Sequence, residues 1–571
     1  MLDRQLDAIR LDLARPDALL WPALLGLVTG ILGGGLIVVF RLVVEGTQAA
    51  MLPEHGENFE GLPAALRLIL PLIGAAAIGL LFVRFAQGQY VLGVVRVMER
   101  LEYHQGYLTA RGLVLQFLGA AIAIISGHSV GREGPHVHLG AASGSLLAQR
   151  LRLPNNSIRQ LVACGTAAGI AASFNTPLAA VIFALEVLAL EYRIASFIPI
   201  MLAAVSANAV SVAVFGSIPL FGVPPFSLHA ASDLVPVVTL GLVVGVLSAT
   251  YIGAIQRIAA FGRGRDFLVR VGLAGIVAGV CGALVPEVMG LGFDTLRDLL
   301  TGPLPWTFLI LLLLFKLLAT AASAGLGIPG GTIGPALFLG AVLGNLTGVL
   351  AANLIATDAD LAGFYALLGM GAMMGASFQA PLAALTAIVE LTHSPAAIGP
   401  GLLAIILAAL VSKELFGQDS LFVTLLRANG LDYRAHPMIQ LLRRSAVRSL
   451  MNRSLVCHES VVTRAQAEEL VAGGVQWVVV REVGRPPYLM SGLAVASALS
   501  SQPAARRFDL RAIPGERLDL APITMQATLH EALELMRSRG IAALYVTPTL
   551  APDAPILGVL TAGQIEAASR C

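Results

Sequence analysis

Charge is what this sequence has least of. Only 13% of its 571 residues are Asp, Glu, Lys or Arg, against about 25% in soluble domains. Such a chain cannot present a polar surface all round. With 56% hydrophobic residues and a mean hydropathy of +0.80, most of it must face lipid or other apolar segments. The net charge of +2 is near zero and argues against nucleic acid as a partner. Cysteine is scarce: Cys164, Cys281, Cys457 and Cys571 are scattered, form no CxxC pair, and imply neither a disulfide framework nor a metal knot. No cleavable signal peptide is visible, and residues 1–15, amphipathic and charged, read as a helix lying at the membrane surface.

What is there instead is a succession of apolar runs, from about residue 19 to 426. Those at 19–44, 68–85, 235–255 and 308–321 are long or nearly long enough to span a hydrocarbon core of roughly 30 Å. Others, around 131–135 and 327–335, are cut by Gly and Pro. Broken backbone at membrane depth is tolerated only where protein or a wet cavity surrounds it. Basic clusters at 96–111, 150–159 and 257–270 alternate with acidic or neutral loops at 54–60, 217–233, 287–298 and 357–360. By the positive-inside rule the basic set faces the cytoplasm, and Arg427, Arg434, Arg443 and Arg444 place the C-terminal segment there too.

The chain repeats itself. Aligning 131–144 (GREGPHVHLGAASG) with 331–344 (GTIGPALFLGAVLG) matches Gly131, Gly134, Pro135, Leu139, Gly140, Ala141 and Gly144 with their own kind. Aligning 172–186 (ASFNTPLAAVIFALE) with 376–390 (ASFQAPLAALTAIVE) matches Ala, Ser, Phe, Pro, Leu, Ala, Ala and Glu in register. Two matches in the same order at nearly the same offset mean two copies of one unit, with repeats at about 18–215 and 230–428. Duplicated halves whose broken helices meet near the midplane are a transporter and channel plan. From about residue 447, after a linker at 431–446, Arg, Glu, Gln and Pro return. Strand-like runs at 477–481, 543–546 and 556–560 and a helix-like run at 529–538 predict a soluble α/β module over 447–571.

An anion inside a bilayer needs partial positive charge without a tight cation. Helix starts supply it through unpaired N–H groups and the macrodipole. Glycine lets backbone approach the ion, and proline in the first turn needs no N–H partner. Gly131-Arg132-Glu133-Gly134-Pro135 and Gly330-Gly331-Thr332-Ile333-Gly334-Pro335 both have this form and occupy equivalent places in the repeats, so two helix starts converge on one point. Glu133 is the odd member, facing Ile333 in the other copy. A membrane carboxylate costs on the order of 3 kcal/mol unless stabilised. Its natural stabiliser is the N–H cluster that would hold an anion. Carboxylate and anion therefore compete, and protonation opens the path, making Glu133 gate and proton acceptor. The plainer alternative is a structural pair with Arg132.

These motifs resemble the CLC family of chloride channels and chloride/proton antiporters over roughly residues 18–430. GREGP at 131–135 is similar to the family's gating-glutamate motif, and GTIGP at 331–335, after Gly327-Ile328-Pro329-Gly330, to its second anion-binding motif. The resemblance implies an all-α polytopic membrane domain of two inverted repeats with re-entrant helices, and a homodimer with one pore per subunit. No enzyme activity and no cofactor are expected. It also implies an anion site at Gly131, Arg132, Gly134, Pro135, Gly331, Thr332, Ile333 and Gly334, completed by Leu92 and Phe422. At the last two the family carries a serine and a tyrosine, so two hydroxyl donors are missing. Ile333 stands in for a usual phenylalanine. The family antiporters' internal proton-transfer glutamate falls on Val187, which cannot relay a proton. Glu186, repeated by Glu390, reads as a helix anchor, and Glu191 with Arg193 as a loop pair. Valine there resembles the channel branch.

Three readings follow. One is a chloride channel. A second is a chloride/proton antiporter or a carrier of another small anion such as fluoride or nitrate. A third is a membrane-anchored sensor, which needs neither two converging glycine-rich helix starts nor an intramembrane glutamate. His128, His136 and His138 flank the gate, but residues two apart on a helix face different sides, which argues against a metal site and leaves His128 or His136 to tune gating. The C-terminal module resembles a pair of CBS domains, with the second copy, about 518–570, clearer than the first. Gln564 stands where nucleotide-binding copies hold a ribose with an aspartate, so nucleotide binding is not expected. The Ala/Leu/Arg-rich composition suggests a bacterial inner membrane, with both termini cytoplasmic.

Overall fold

In a hydrocarbon core a helix is the simplest structure in which a single segment satisfies its own backbone groups. The apolar runs accordingly fold as helices in the computed structural model. It describes residues 19–570 except 54–56, 87, 89, 91, 189–193, 217–233, 356–360, 393–394, 432–441, 443–444, 483–484 and 549–553. The surface helix expected at 1–15, the loops at 217–233 and 357–360, Glu191 with Arg193, and Arg434, Arg443 and Arg444 therefore lie outside the described residues. Two units are present: one of Pro22–Gln149 and Arg159–Tyr433, the other of Met1–Trp21, Arg150–Ile158 and Arg434–Cys571.

The membrane unit is built from two series of eight helices among the described residues. The first comprises α1 (Leu20–Met51), α2 (Ala64–Phe85), α3 (Gly93–Tyr103), α4 (Ala110–Ile125), α5 (Glu133–Arg150), α6 (Asn155–Phe174), α7 (Pro177–Val187) and α8 (Ile194–Phe215). The second follows in the same order: α9 (Leu234–Gly262), α10 (Phe267–Leu284), α11 (Phe293–Thr301), α12 (Trp306–Leu326), α13 (Ile333–Ile355), α14 (Ala362–Phe378), α15 (Pro381–Thr392) and α16 (Ile398–Leu410). A short helix, α17 (Leu421–Ala428), comes after them. Among the described residues, eight helices are long and apolar enough to cross a membrane. The spans outrun the apolar stretches read from sequence. The run at 235–255, for example, extends through Gly262, because amphipathic ends continue a helix that hydropathy alone truncates.

The stretches 172–186 and 376–390, matched in the two repeats, are not single helices. Each is a junction. Asn175 and Gln379 sit in the left-handed region at φ 59° and 53°, ending α6 and α14, and Pro177 and Pro381 open the next helices. Asparagine tolerates this conformation and proline pre-sets the first turn, so the break is local chemistry repeated in both copies.

Helix α14 is buried along its whole length, and α6 nearly so. Each lies tight against the helix before it. A side-chain carbon on Gly140 would come within 2.1 Å of the Gly165 carbonyl, and one on Gly340 within 2.2 Å of the Gly369 carbonyl. Only glycine allows that approach, and it presses α5 and α13, which carry the site, onto buried supports.

The other unit contains α18 (Val447–Leu450) and a six-stranded sheet ordered β1-β3-β4-β6-β7-β8, with β2 and β5 paired apart. Its first half runs β1 (Leu455–His458), β2 (Val461–Thr463), α19 (Arg464–Ala472), β3 (Trp477–Glu482), β4 (Arg485–Ser491) and α20 (Gly492–Ser501). After β5 (Arg507–Asp509), the second runs β6 (Arg517–Thr524), α21 (Leu529–Arg539), β7 (Ala543–Thr547), β8 (Gly558–Thr561) and α22 (Ala562–Arg570). Strands β1 and β3 are parallel, as are β6 and β7, while β3 with β4 and β7 with β8 are antiparallel. Capping boxes open α19 (Thr463 with Gln466) and α21 (Thr528 with Glu531). The half with the weaker sequence signal thus shares the helix–strand–strand–helix run of the other. The last expected strand starts later than read, at Gly558 and not 556.

Candidate functional site

The two glycine-rich turns meet. Gly131 donates its N–H to the Gly331 carbonyl at 2.7 Å, and Gly331 returns the bond to Gly131 at 2.6 Å, an antiparallel bridge between equivalent residues of the two repeats. Helices α5 and α13 start on either side of it. The Glu133 side chain is completely buried there. Its Oε2 accepts the Gly334 N–H at 3.0 Å, while Oε1 has no hydrogen-bond partner. The first repeat's carboxylate therefore occupies one of the free donors at the start of the second repeat's helix, where the dipole favours negative charge.

Arg132 points elsewhere. Its guanidinium lies 3.4 Å from the Glu45 carboxylate on α1, donates to the Ser173 carbonyl at 3.2 Å, and lies 4.7 Å from the centroid of the Phe293 ring. The geometry thus separates it from its neighbour Glu133, in place of the structural pair weighed from sequence.

A cavity of about 190 Å³ opens on the other side of the bridge. Of the sequence-predicted residues, Leu92, Gly134, Gly331, Thr332, Ile333 and Phe422 line it together. Gly131, Arg132, Pro135 and Gly334 do not. The start of α3 joins them through Gly93, at φ 71°, but the Gly93 N–H is already given to Gln116 Oε1 at 2.7 Å. Phe422 stacks on Phe378 at 4.9 Å. Tyr251 donates its hydroxyl to the Thr332 carbonyl at 2.9 Å, holding the second turn from behind.

Glu133 and Ile333 also border a smaller cavity of about 40 Å³, whose other walls include Phe174, Phe183, Leu337 and Leu391. Among its described walls Glu133 is the one titratable group. Glu186, at the end of α7, accepts the N–H groups of Leu382 and Ala383 at 3.1 and 2.8 Å, capping α15. Glu390, at the end of α15, accepts those of Leu178 and Ala179 at 2.9 and 2.8 Å, capping α7.

Several residues here escaped sequence reading: Glu45, Gln116, Tyr251, Lys316 and Glu57. Lys316 is completely buried on α12, donates to the Val288 and Gly290 carbonyls at 3.1 and 3.3 Å, and lies 4.6 Å from the Phe338 ring centroid. It stands at the same distance along the chain from Gln116 as Gly331 does from Gly131, so a lysine in one repeat answers a glutamine in the other. A lone charge inside an apolar span was the signal. Glu57, in the loop after α1, accepts the Phe293 N–H at 3.4 Å. Burial pushes its carboxyl up to about 7, against the opposing pull of Arg132. The three histidines are buried apart: His128 Nε2 lies 3.1 Å from the Pro71 carbonyl, His136 meets the Phe40 ring edge at 5.1 Å, and His138 borders a pocket with Arg96 and Arg100.

A family model described as voltage gated chloride channel matches residues 74–413, more than half of the chain. The chain belongs to the voltage-gated chloride channel (CLC) family. A ClcB-like protein of Ralstonia nicotianae, named as a chloride channel protein, is 34% identical over 380 residues, covering 64% of this chain and 87% of that protein. The H(+)/Cl(-) exchange transporter ClcA of Vibrio parahaemolyticus is 28% identical over 412 residues, covering 70% of this chain and 88% of its own length. A solved eukaryotic CLC transporter shares the fold at 20% identity and a TM-score of 0.61, covering 95% of this chain and 97% of that one. This CLC protein is therefore an integral membrane anion transporter, with the inverted-repeat fold and an α/β C-terminal unit.

Proposed function

We propose that this CLC protein moves chloride through a pathway that Glu133 closes. The observation that carries the reading is the 3.0 Å bond from the Gly334 N–H to Glu133 Oε2. The carboxylate holds a helix-start donor that a passing anion needs. Chloride entering from the larger cavity competes for it, and a proton on Glu133 weakens the carboxylate's hold. Gly131, Gly134, Gly331, Thr332, Ile333 and Gly334 build the passage, and Leu92 and Phe422 wall it without hydroxyls.

The channel mode is supported by Val187 and by the apolar cavity behind Glu133, which offers a proton no second titratable group among its described walls. Glu186 is engaged as a cap and is not free to relay. Proton-coupled exchange is the second reading, supported by the exchanger name of the Vibrio relative. The absent hydroxyls also make fluoride and nitrate worth testing as substrates. The protein acts as a homodimer in the bilayer of a bacterial inner membrane, with both termini cytoplasmic by the positive-inside distribution. It performs no covalent chemistry, and the C-terminal unit is a CBS-like regulatory pair without a nucleotide.

The deciding measurement is the reversal potential of reconstituted protein under crossed chloride and pH gradients. A channel reverses at the chloride equilibrium potential whatever the pH gradient. A pH-dependent shift establishes exchange and overturns the channel reading.

A further inference from the structure

The 190 Å³ cavity contains more charge than the passage needs. Arg263, in the turn between α9 and α10, and Arg270, on α10, both line it, and among its described walls there is no carboxylate. Neither guanidinium has a hydrogen-bond or ion-pair partner among the described residues, and the Arg270 Nε is buried without one. The other charges nearby are engaged. Asp266 caps α10 through the Leu268 N–H at 2.8 Å, Arg265 lies over the Phe261 ring at 3.7 Å, and Arg427 pairs with Asp419. The wall behind Arg270 is firm, because Tyr90 and Phe267 stack with centroids 4.5 Å apart. A second cavity of about 300 Å³ shares Arg263 with the first, so that residue borders both spaces.

Arg263 is exposed, and Arg270, 6.0 Å from the Phe267 ring centroid, keeps a buried nitrogen with no acceptor; that is costly, and an anion is what would complete it. We propose that Arg263 and Arg270 form a holding site for a small monovalent inorganic anion, at the mouth of the vestibule and ahead of the helix starts at Gly331 and Gly134. The proposal deepens the reading of the chain as a chloride pathway and rests on it. The cavity has room for an ion with several of its waters, so the anion is captured partly hydrated and is stripped only further in, at the backbone N–H groups. A cleft lined by one sign of charge raises the local counter-ion concentration, here of the transported ion.

The test uses full-length protein in planar bilayers, with chloride varied on the face that carries the basic loops. In Arg263→Gln and Arg270→Gln, the chloride concentration for half-maximal current should rise roughly three- to tenfold, with maximal current retained. The shift should shrink as an impermeant salt raises ionic strength. Arg263→Lys and Arg270→Lys should stay near wild type, because a point charge suffices. Crystals grown in bromide should show anomalous density between the two guanidiniums. An unchanged half-maximal concentration in the double glutamine variant overturns the proposal, as does a loss of maximal current alone, which marks the arginines as mere wall. Should the glutamine variants fail to fold, the bromide experiment on wild-type protein decides: density supports the site and its absence overturns it. A protein that passes no chloride at all, as wild type and as Glu133→Gln alike, defeats the chloride-pathway reading itself. A chloride current with unchanged half-saturation defeats only this site.

Discussion

Glu133 places a charge where its repeat partner, Ile333, has none, and it spends that charge on the other repeat's helix start. Replacing it with glutamine keeps the shape and removes the charge that makes the hydrogen bond strong. A charge-assisted bond contributes about 1.5 kcal/mol, so its loss should raise chloride flux about tenfold at neutral pH. Wild-type flux should climb as pH falls, since protonation does what the glutamine does permanently, and the variant should be flat. A Glu133→Gln flux that keeps the wild-type pH dependence would remove the residue from the gate. Glu57 is a separate proton site. Its carboxyl titrates near 7 in the folded protein because burial disfavours the charge, against 4.5 for the free side chain. Between those values the folded chain holds a proton that the unfolded chain has released, so stability falls as pH rises through the window, by at most about 1.4 kcal/mol per pH unit. Thermal midpoints taken across the window should show that decline in wild-type protein and lose it in Glu57→Gln.

At the scale of elements, the two repeats are tied by exchange. The Gly131–Gly331 bridge ties α5 to α13, and the crossed caps of Glu186 and Glu390 tie α7 to α15. Each cap satisfies two helix-start N–H groups, which a membrane cannot hydrate. Glu186→Ala and Glu390→Ala should each cost about 1–2 kcal/mol of stability, and the pair of changes should be close to additive because the caps share no atom. A denaturation series in detergent micelles checks this. Strong coupling between the two would mean that the caps act as one unit. Much of this was legible in the residues. The doubled GxxGP turns, the doubled ASF–PLAA stretches and the paired glutamates gave the repeat and the helix starts. The breaks at Asn175 and Gln379 were missed, because apolar periodicity runs through them and a single left-handed residue leaves no trace in it. Gln116 and Lys316 were missed because hydropathy averages a lone polar group away. Yet a buried lysine in an apolar span must face the interior. The side to which Arg132 turns depends on Glu45, far off on α1, and no local pattern encodes that.

For the whole molecule, the C-terminal unit bears a prediction of its own. Its two halves share a helix–strand–strand–helix run, and a capping box opens the first helix of each. The chemistry at Gln564 argues against a nucleotide. Gln564 Oε1 accepts the Thr561 N–H at 2.9 Å and lies 3.2 Å from its hydroxyl, and Gln564 in turn gives its N–H to Thr561 Oγ1 at 3.4 Å. The side chain is thus committed to starting α22 and has no carboxylate for a ribose. Adding ATP, ADP or AMP at millimolar concentration to purified full-length protein should leave its thermal midpoint and chloride flux unchanged. Binding at a tenth of the ligand concentration would stabilise the fold by about 1.4 kcal/mol, well within reach of such a measurement. Gln564→Asp tests the same logic in reverse. It restores a carboxylate but shortens the cap, so it should lower stability, and no nucleotide should recover the loss unless the rest of the pocket is already shaped for one.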